Sequence, residues 1–197
     1  MNETVVINAY IVISIIIAAT DILLAVKSFK KNKTTGRFLG FACMGAAIVD
    51  ISYLISIISG SYMCMAAMSS IYFISIDFML VSLLIFTVYF TKGKFSGYGK
   101  WMVAFCFLYC IYELIVFAVN PFMEIAIEYK PRDTLIAKYS YQMKPLYELH
   151  LIFSYVMVLL VVGLLIRKIC KIPQEYRWQY LSVIIGILII VGSNAIF

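Results

Sequence analysis

The chain has 197 residues, 64% of them hydrophobic and only 13% charged. A soluble domain is usually about 45–50% apolar, so this composition excludes a water-soluble globular enzyme. The net charge of +6 comes from 16 basic and 10 acidic residues, and because most of the basic ones lie in short links between apolar runs, it points to membrane topology and not to nucleic acid.

Several apolar runs reach the roughly 17–25 residues needed to cross a hydrocarbon core. In chain order they predict helices over 5–26, 38–59, 67–91, 101–119, 146–166 and 180–197. The expected fold class is an all-α membrane protein, a polytopic bundle of six transmembrane helices. Only helices satisfy backbone polar groups in open lipid without a closed barrel, and no ten-residue alternation suggests strands. The first run follows Glu3, has no positive leading segment and no small-residue cleavage site, so it reads as a retained helix and not a signal peptide.

The link after the first helix carries Lys27, Lys30, Lys31, Lys33 and Arg37; the link after the third carries Lys92, Lys94 and Lys100; the link after the fifth carries Arg167, Lys168, Lys171 and Arg177. These alternate links are expected in the cytoplasm of a plasma-membrane protein, which puts the N-terminus, and after six crossings Phe197 too, outside. On the outer side, 120–145 holds Pro121, Pro131 and Pro145 with Tyr129, Tyr139 and Tyr141, and reads as a partly ordered external cap. The prolines are expected to lie outside the helices.

Asp21, Asp50, Asp77 and Glu113 fall inside the apolar helices, and Glu148 at the outer start of the fifth. A carboxylate at the bilayer centre costs about 2.5–3.5 kcal/mol on insertion scales, so such groups face the bundle interior, take a partner or stay protonated. Asp21 is explained as interfacial, while Asp77 and Glu113 are the stronger candidates. In the third helix Ser70, Tyr72, Phe73 and Asp77 lie on neighbouring turns, and in the fourth Tyr109 and Glu113 are four residues apart, beside Cys106 and Cys110. In the fifth, His150, the only histidine, forms a polar stripe with Tyr147 and Ser154. Ordinary helix packing through hydrogen bonds is one use of these groups; a small aromatic-walled cavity that senses a ligand or pH is the other. A lone histidine cannot assemble a multi-histidine metal centre, so no metal and no cofactor is expected. The five cysteines are odd in number and lack a CxxC pair, and read as small core residues.

The sequence has no GxGD, no GxSG with a partner histidine, no HExxH, no Walker loop and no mid-helix lysine for a retinal Schiff base, so this chain is not expected to be an enzyme.

The run His150-Leu-Ile-Phe-Ser154-Tyr155, then Arg167, then Pro173-Gln-Glu-Tyr176-Arg177-Trp-Gln179 and Gly192-Ser-Asn194 resembles the N-terminal seven-transmembrane region of bacterial histidine kinases, a module that also heads diguanylate cyclases. The run from Ser70 to Asp77 and Asn120-Pro121-Phe122 are similar to versions fused to GGDEF output domains. The resemblance implies a single transmembrane sensor domain over 1–197, a two-component or cyclase input whose last helix drives a cytoplasmic kinase or cyclase output, usually within a homodimer. His150, Asp77, Glu113, Tyr72, Tyr109 and Ser154 are then the ligand or sensing candidates, and Pro173, Tyr176, Arg177 and Gln179, in a polar turn, the cytoplasmic relay. The chain ends after six helices, so the seventh helix and the output are expected to lie outside it, either because it is a fragment or because it acts on a partner. The expected partners are the lipid bilayer and an unknown small-molecule or membrane signal, without nucleic acid. Two rivals are a small transporter or permease subunit, expected to show broken helices in matching halves, and a structural membrane partner that packs through Gly40, Gly45 and Ala46.

Overall fold

A computed structural model describes residues 3–31, 33–93, 97–132 and 138–196; of these, the side chains of 3–7, 98, 179 and 187–196 are not described. The described residues form six helices, α1 (Glu3–Lys30), α2 (Thr34–Ile58), α3 (Tyr62–Lys92), α4 (Gly97–Met123), α5 (Pro145–Ile169) and α6 (Gln174–Ile196), with strands β1 (Ile127–Pro131) and β2 (Tyr139–Met143) between α4 and α5. The architecture is all-α, as expected, and α1 to α5 are each long and apolar enough to cross a membrane. Each expected helix is found, extended at most ends by polar residues that continue the backbone hydrogen bonding past the apolar run.

The largest extension corrects the expected relay turn. Gln174 to Gln179 belong to the first turns of α6, and only Pro173 remains in the link. Gln, Glu and Arg are good helix formers, and Pro173 stands just ahead of the first turn, where a missing N–H costs nothing.

The centre of the bundle is α3, which packs against α2, α4 and α5, while α1 lies on the far side of α2 and α6 beside α5. Accordingly α3 carries more buried residues than any other helix, and two of its buried hydroxyls turn back on their own helix: Ser70 Oγ donates to Ala66 O at 3.0 Å and Thr91 Oγ1 to Thr87 O at 2.7 Å. It ends on Gly93, whose φ of 74° is a left-handed cap suited to glycine.

The small residues of α2 are consumed within the chain. A Cβ on Gly45 would meet Met79 Cβ, Cα and N of α3 at 3.0–3.2 Å, and one on Gly40 would enter the Phe29 ring of α1 at 2.8–2.9 Å. Neither is therefore free for the oligomer surface expected of it.

The segment after α4, expected as a partly ordered cap, contains the strands β1 and β2. Pro121 lies inside α4 and Pro145 in the first turn of α5, so these two prolines are not outside the helices. Pro121 removes the amide that would bond to Phe117 O, and α4 stops one turn later, where Glu124 takes φ 48° and its N–H bonds to Asn120 O at 2.8 Å. The strands then pair antiparallel, with Ile127 opposite Met143 and Tyr129 opposite Tyr141. Ile127 and Tyr129 point inward and Glu128 and Lys130 outward, the two-residue period of a half-buried strand.

Two apolar cores fill the bundle. One lies under the hairpin and joins Met65, Ala66, Phe73, Val116 and Phe117 to Ala126, Ile127 and Tyr129. The other runs toward the end that carries the basic links, through Leu80, Leu84, Cys106, Phe153, Met157, Leu165 and Tyr180.

Candidate functional site

Between these cores three helices each send in one polar side chain. Asp77 of α3, Glu113 of α4 and His150 of α5 are all at most 2% exposed. His150 Nδ1 is 3.1 Å from Glu113 Oε2, a hydrogen bond when that nitrogen carries a proton, and 3.6 Å from Asp77 Oδ1. One donor atom from each residue lies within 4.8 Å of the other two.

Each helix also supplies an aromatic ring one turn away, and the three rings surround the imidazole. Phe73 precedes Asp77 by four residues, Phe117 follows Glu113 by four, and Tyr147 precedes His150 by three, the spacings that stack side chains on one helical face. Phe73 and Phe117 stack on one another at 4.8 Å and each meets His150 edge-on, at 5.4 and 5.1 Å between ring centres. Tyr147 lies 6.0 Å away in a tilted arrangement. The rings close the hairpin side of the site and hold the imidazole plane.

The polar demand of the site is not met within it. Asp77 Oδ1 and Oδ2 and Glu113 Oε1 are buried with no hydrogen-bond partner. The ionisable side chains grouped with Asp77, among the described residues, are His150 and Glu113. Two carboxylates and one imidazole therefore face each other where each unpaired charge costs several kcal/mol.

Tyr109 lies beside Glu113 but its buried hydroxyl makes no hydrogen bond of ordinary geometry; the ring stacks on Phe153 of α5 at 3.7 Å. Ser154, one turn beyond His150, also has a buried hydroxyl without a partner. Tyr72 is turned away from the three: its ring packs on Tyr53 of α2 at 5.5 Å, and its neighbour Phe73 takes the place beside His150. Phe117 was absent from the sequence candidates, although its spacing from Glu113 mirrors that of Phe73 from Asp77.

The relay candidates sit at the opposite end of the bundle. Pro173, Tyr176 and Arg177 are exposed, with Arg177 Nε donating to Ile172 O at 3.4 Å. The backbone of Gln179 is in α6; its side chain, and those of Ser193 and Asn194, lie outside those described. At about 1.5 Å per residue, the run of α5 from His150 to Ile169 puts roughly 30 Å between the sites.

Asp21 of α1 and Asp50 of α2 are both half-buried, on two helices that pack against one another.

Asn120 is the second polar centre, and the sequence candidates omit it. It is fully buried, and its Oδ1 accepts from the amides of Ala126 at 2.8 Å and Ile127 at 3.0 Å, while Nδ2 donates to Ile127 O at 3.2 Å and Tyr129 Oη at 3.3 Å. One side chain thus fastens the hairpin to the end of α4. Around it Tyr62 Oη donates to Glu124 Oε1 at 2.5 Å and Lys144 Nζ to Glu124 O at 2.7 Å. Burial and the nearby Tyr141 hold the Tyr129 phenol well above its ordinary value, so it stays a neutral hydroxyl.

A membrane bundle with a buried polar centre and an ordered hairpin cap is compatible with several functions, and the family decides among them. The family described as the N-terminal 7TM region of histidine kinase matches residues 9–197. The chain belongs to this family. It is a membrane-embedded sensory input region of the histidine-kinase type, as its resemblance implied. No curated protein and no solved structure matches the chain.

Proposed function

We propose that the chain is a non-catalytic receiver in which the Asp77–Glu113–His150 centre converts a stimulus into a change of helix packing. In this reading the hairpin end faces outside, the basic end faces the cytoplasm, and Pro173, Tyr176, Arg177 and Gln179 pass the displacement to a kinase or cyclase output, within a dimer. Tyr109 and Ser154, whose hydroxyls are buried beside the centre without partners, are the further polar groups a stimulus would engage. Tyr72 takes no direct part.

The observation that carries the reading is the convergence of three ionisable side chains, one from each of α3, α4 and α5, between two packed cores. Apolar cores repack at little net cost in lipid, whereas a polar centre has few acceptable arrangements. Whatever the centre holds therefore selects among packings of three helices. A stimulus shifts that choice only by its differential affinity for them.

The test is a chimera with a histidine-kinase catalytic region, assayed for autophosphorylation in membrane vesicles. Asp77→Asn, Glu113→Gln and His150→Ala should each fix the output at one level. Wild-type output and wild-type responsiveness in all three would overturn the proposal. Orientation is checked separately: alkaline phosphatase inserted within 133–137 should be active outside the cell, and inserted within 94–96 inactive.

A further inference from the structure

We propose that Asp77, Glu113 and His150 form a binding site for one divalent first-row transition-metal cation, Zn2+ or Mn2+. The site rests on the geometry and not on the signalling reading above.

Histidine nitrogen and carboxylate oxygen are ordinary ligands of these ions, with bonds of roughly 2.0–2.2 Å. Adjacent ligand atoms around such an ion stand roughly 2.9–3.5 Å apart. The separations of His150 Nδ1 from Glu113 Oε2, 3.1 Å, and from Asp77 Oδ1, 3.6 Å, already approach that spacing. Three different helices provide the ligands, so the ion would tie α3, α4 and α5 at one point.

The independent observation is the set of oxygens without partners. Asp77 is 1% exposed and neither of its oxygens has a hydrogen bond, and Glu113 Oε1 has none either. A proton alone does not repair this. An imidazolium satisfies Glu113 Oε2 and stands 3.6 Å from Asp77 Oδ1 without a hydrogen bond to it, and it leaves one uncompensated negative charge; a proton placed on Asp77 creates a donor whose acceptor is missing. A divalent cation with neutral imidazole balances both carboxylates to zero net charge and takes up the orphaned Asp77 Oδ1 together with Glu113 Oε2 and His150 Nδ1. Three protein ligands leave coordination positions open for water or a stimulus molecule.

Counting histidines hides such a site, because two of its three ligands are carboxylates on other helices. The lone histidine becomes an advantage in the test. The full chain, carrying an affinity tag without histidine, is purified in detergent, stripped with chelator and reloaded with Zn2+ or Mn2+. Bound metal is measured by mass spectrometry after gel filtration, and the expected result is one ion per chain. Asp77→Asn, Glu113→Gln and His150→Gln should each weaken binding more than ~100-fold, the upper end of what losing a group behind a ligand costs. Asp50→Asn, in the other carboxylate pair, should bind as wild type. For the Mn2+-loaded wild-type chain, nitrogen hyperfine coupling in electron paramagnetic resonance must shift on 15N-histidine labelling, and this readout needs no variant to fold. Absence of retained ion, wild-type affinity in the three variants, or no imidazole coupling overturns the site. Failure here with a responsive chimera removes the metal and keeps the sensory reading; a silent chimera with bound metal does the reverse.

Discussion

Replacing Asn120 by alanine isolates the tie between the hairpin and α4. Four hydrogen bonds are lost, but their costs are unequal. The amides of Ala126 and Ile127 matter most, since both residues are almost completely buried and Asn120 Oδ1 accepts from each. A buried donor left without an acceptor costs about 1–3 kcal/mol. The hairpin is an end-cap that water reaches after a small shift, so the low end applies, about 1–1.5 kcal/mol each and about 2–3 kcal/mol together. Local opening then becomes about 30- to 150-fold more frequent. Hydrogen–deuterium exchange of the peptide spanning 124–131 reads this opening in detergent or nanodiscs. Tyr129→Phe provides the scale: of the four Asn120 bonds it removes the 3.3 Å one to Nδ2 and leaves both amides satisfied, so it should raise exchange no more than about 5-fold, equivalent to about 1 kcal/mol. Exchange at Ala126 and Ile127 that is the same in Asn120→Ala as in wild type would refute the reasoning.

The α2–α3 contact and the cysteines provide two simpler checks. Gly45→Leu should lower the thermal midpoint in detergent by the equivalent of at least about 1–3 kcal/mol, because its Cβ already meets the Met79 backbone and the rest of the side chain has no room; Gly45→Ala should cost less. Maleimide labelling followed by peptide mass spectrometry should modify the exposed Cys170 and spare Cys106, which is buried 3.2 Å from Met157 Sδ, until the protein is denatured.

Much of the bundle is legible because length and apolarity are local properties. A run of more than twenty apolar residues has only one economical conformation in lipid, and its existence does not depend on neighbours. Asp77, Glu113 and His150 are legible for a related reason: each is expensive where it stands, so each must be answered by something. That they answer one another depends on how α3, α4 and α5 rotate, which periodicity within one helix does not fix. The same limit explains Tyr72, whose neighbour Phe73 points about 100° away around the helix and was equally eligible until packing chose. The hairpin was hidden by brevity: Ile127-Glu-Tyr-Lys alternates correctly, but over too few residues to compete with three prolines nearby. The start of α6 is hidden by its polarity, since Gln174 to Gln179 carry no apolar run to mark a helix.

The arrangement of α4 joins the two polar centres. Glu113, Phe117 and Asn120 fall at successive turns on one face, with spacings of four and three residues, and all three are completely buried. Asn120 holds the hairpin, Phe117 contacts His150 edge-on, and Glu113 lies within hydrogen-bond distance of His150, so any rotation of α4 moves all three together. Pro121 removes the backbone bond to Phe117 O at the top of this face, which makes that turn the easiest to deform. A double-mutant cycle of Asn120→Ala and Glu113→Gln, read by thermal unfolding, tests whether the face acts as a unit. The residues are seven apart, about 10 Å along the axis, a separation at which independent substitutions add within about 0.3–0.5 kcal/mol. A rigid shared face predicts an interaction energy above that margin, because loosening the hairpin releases the turn that positions Glu113. Simple additivity would mean that the hairpin and the buried centre respond to separate forces.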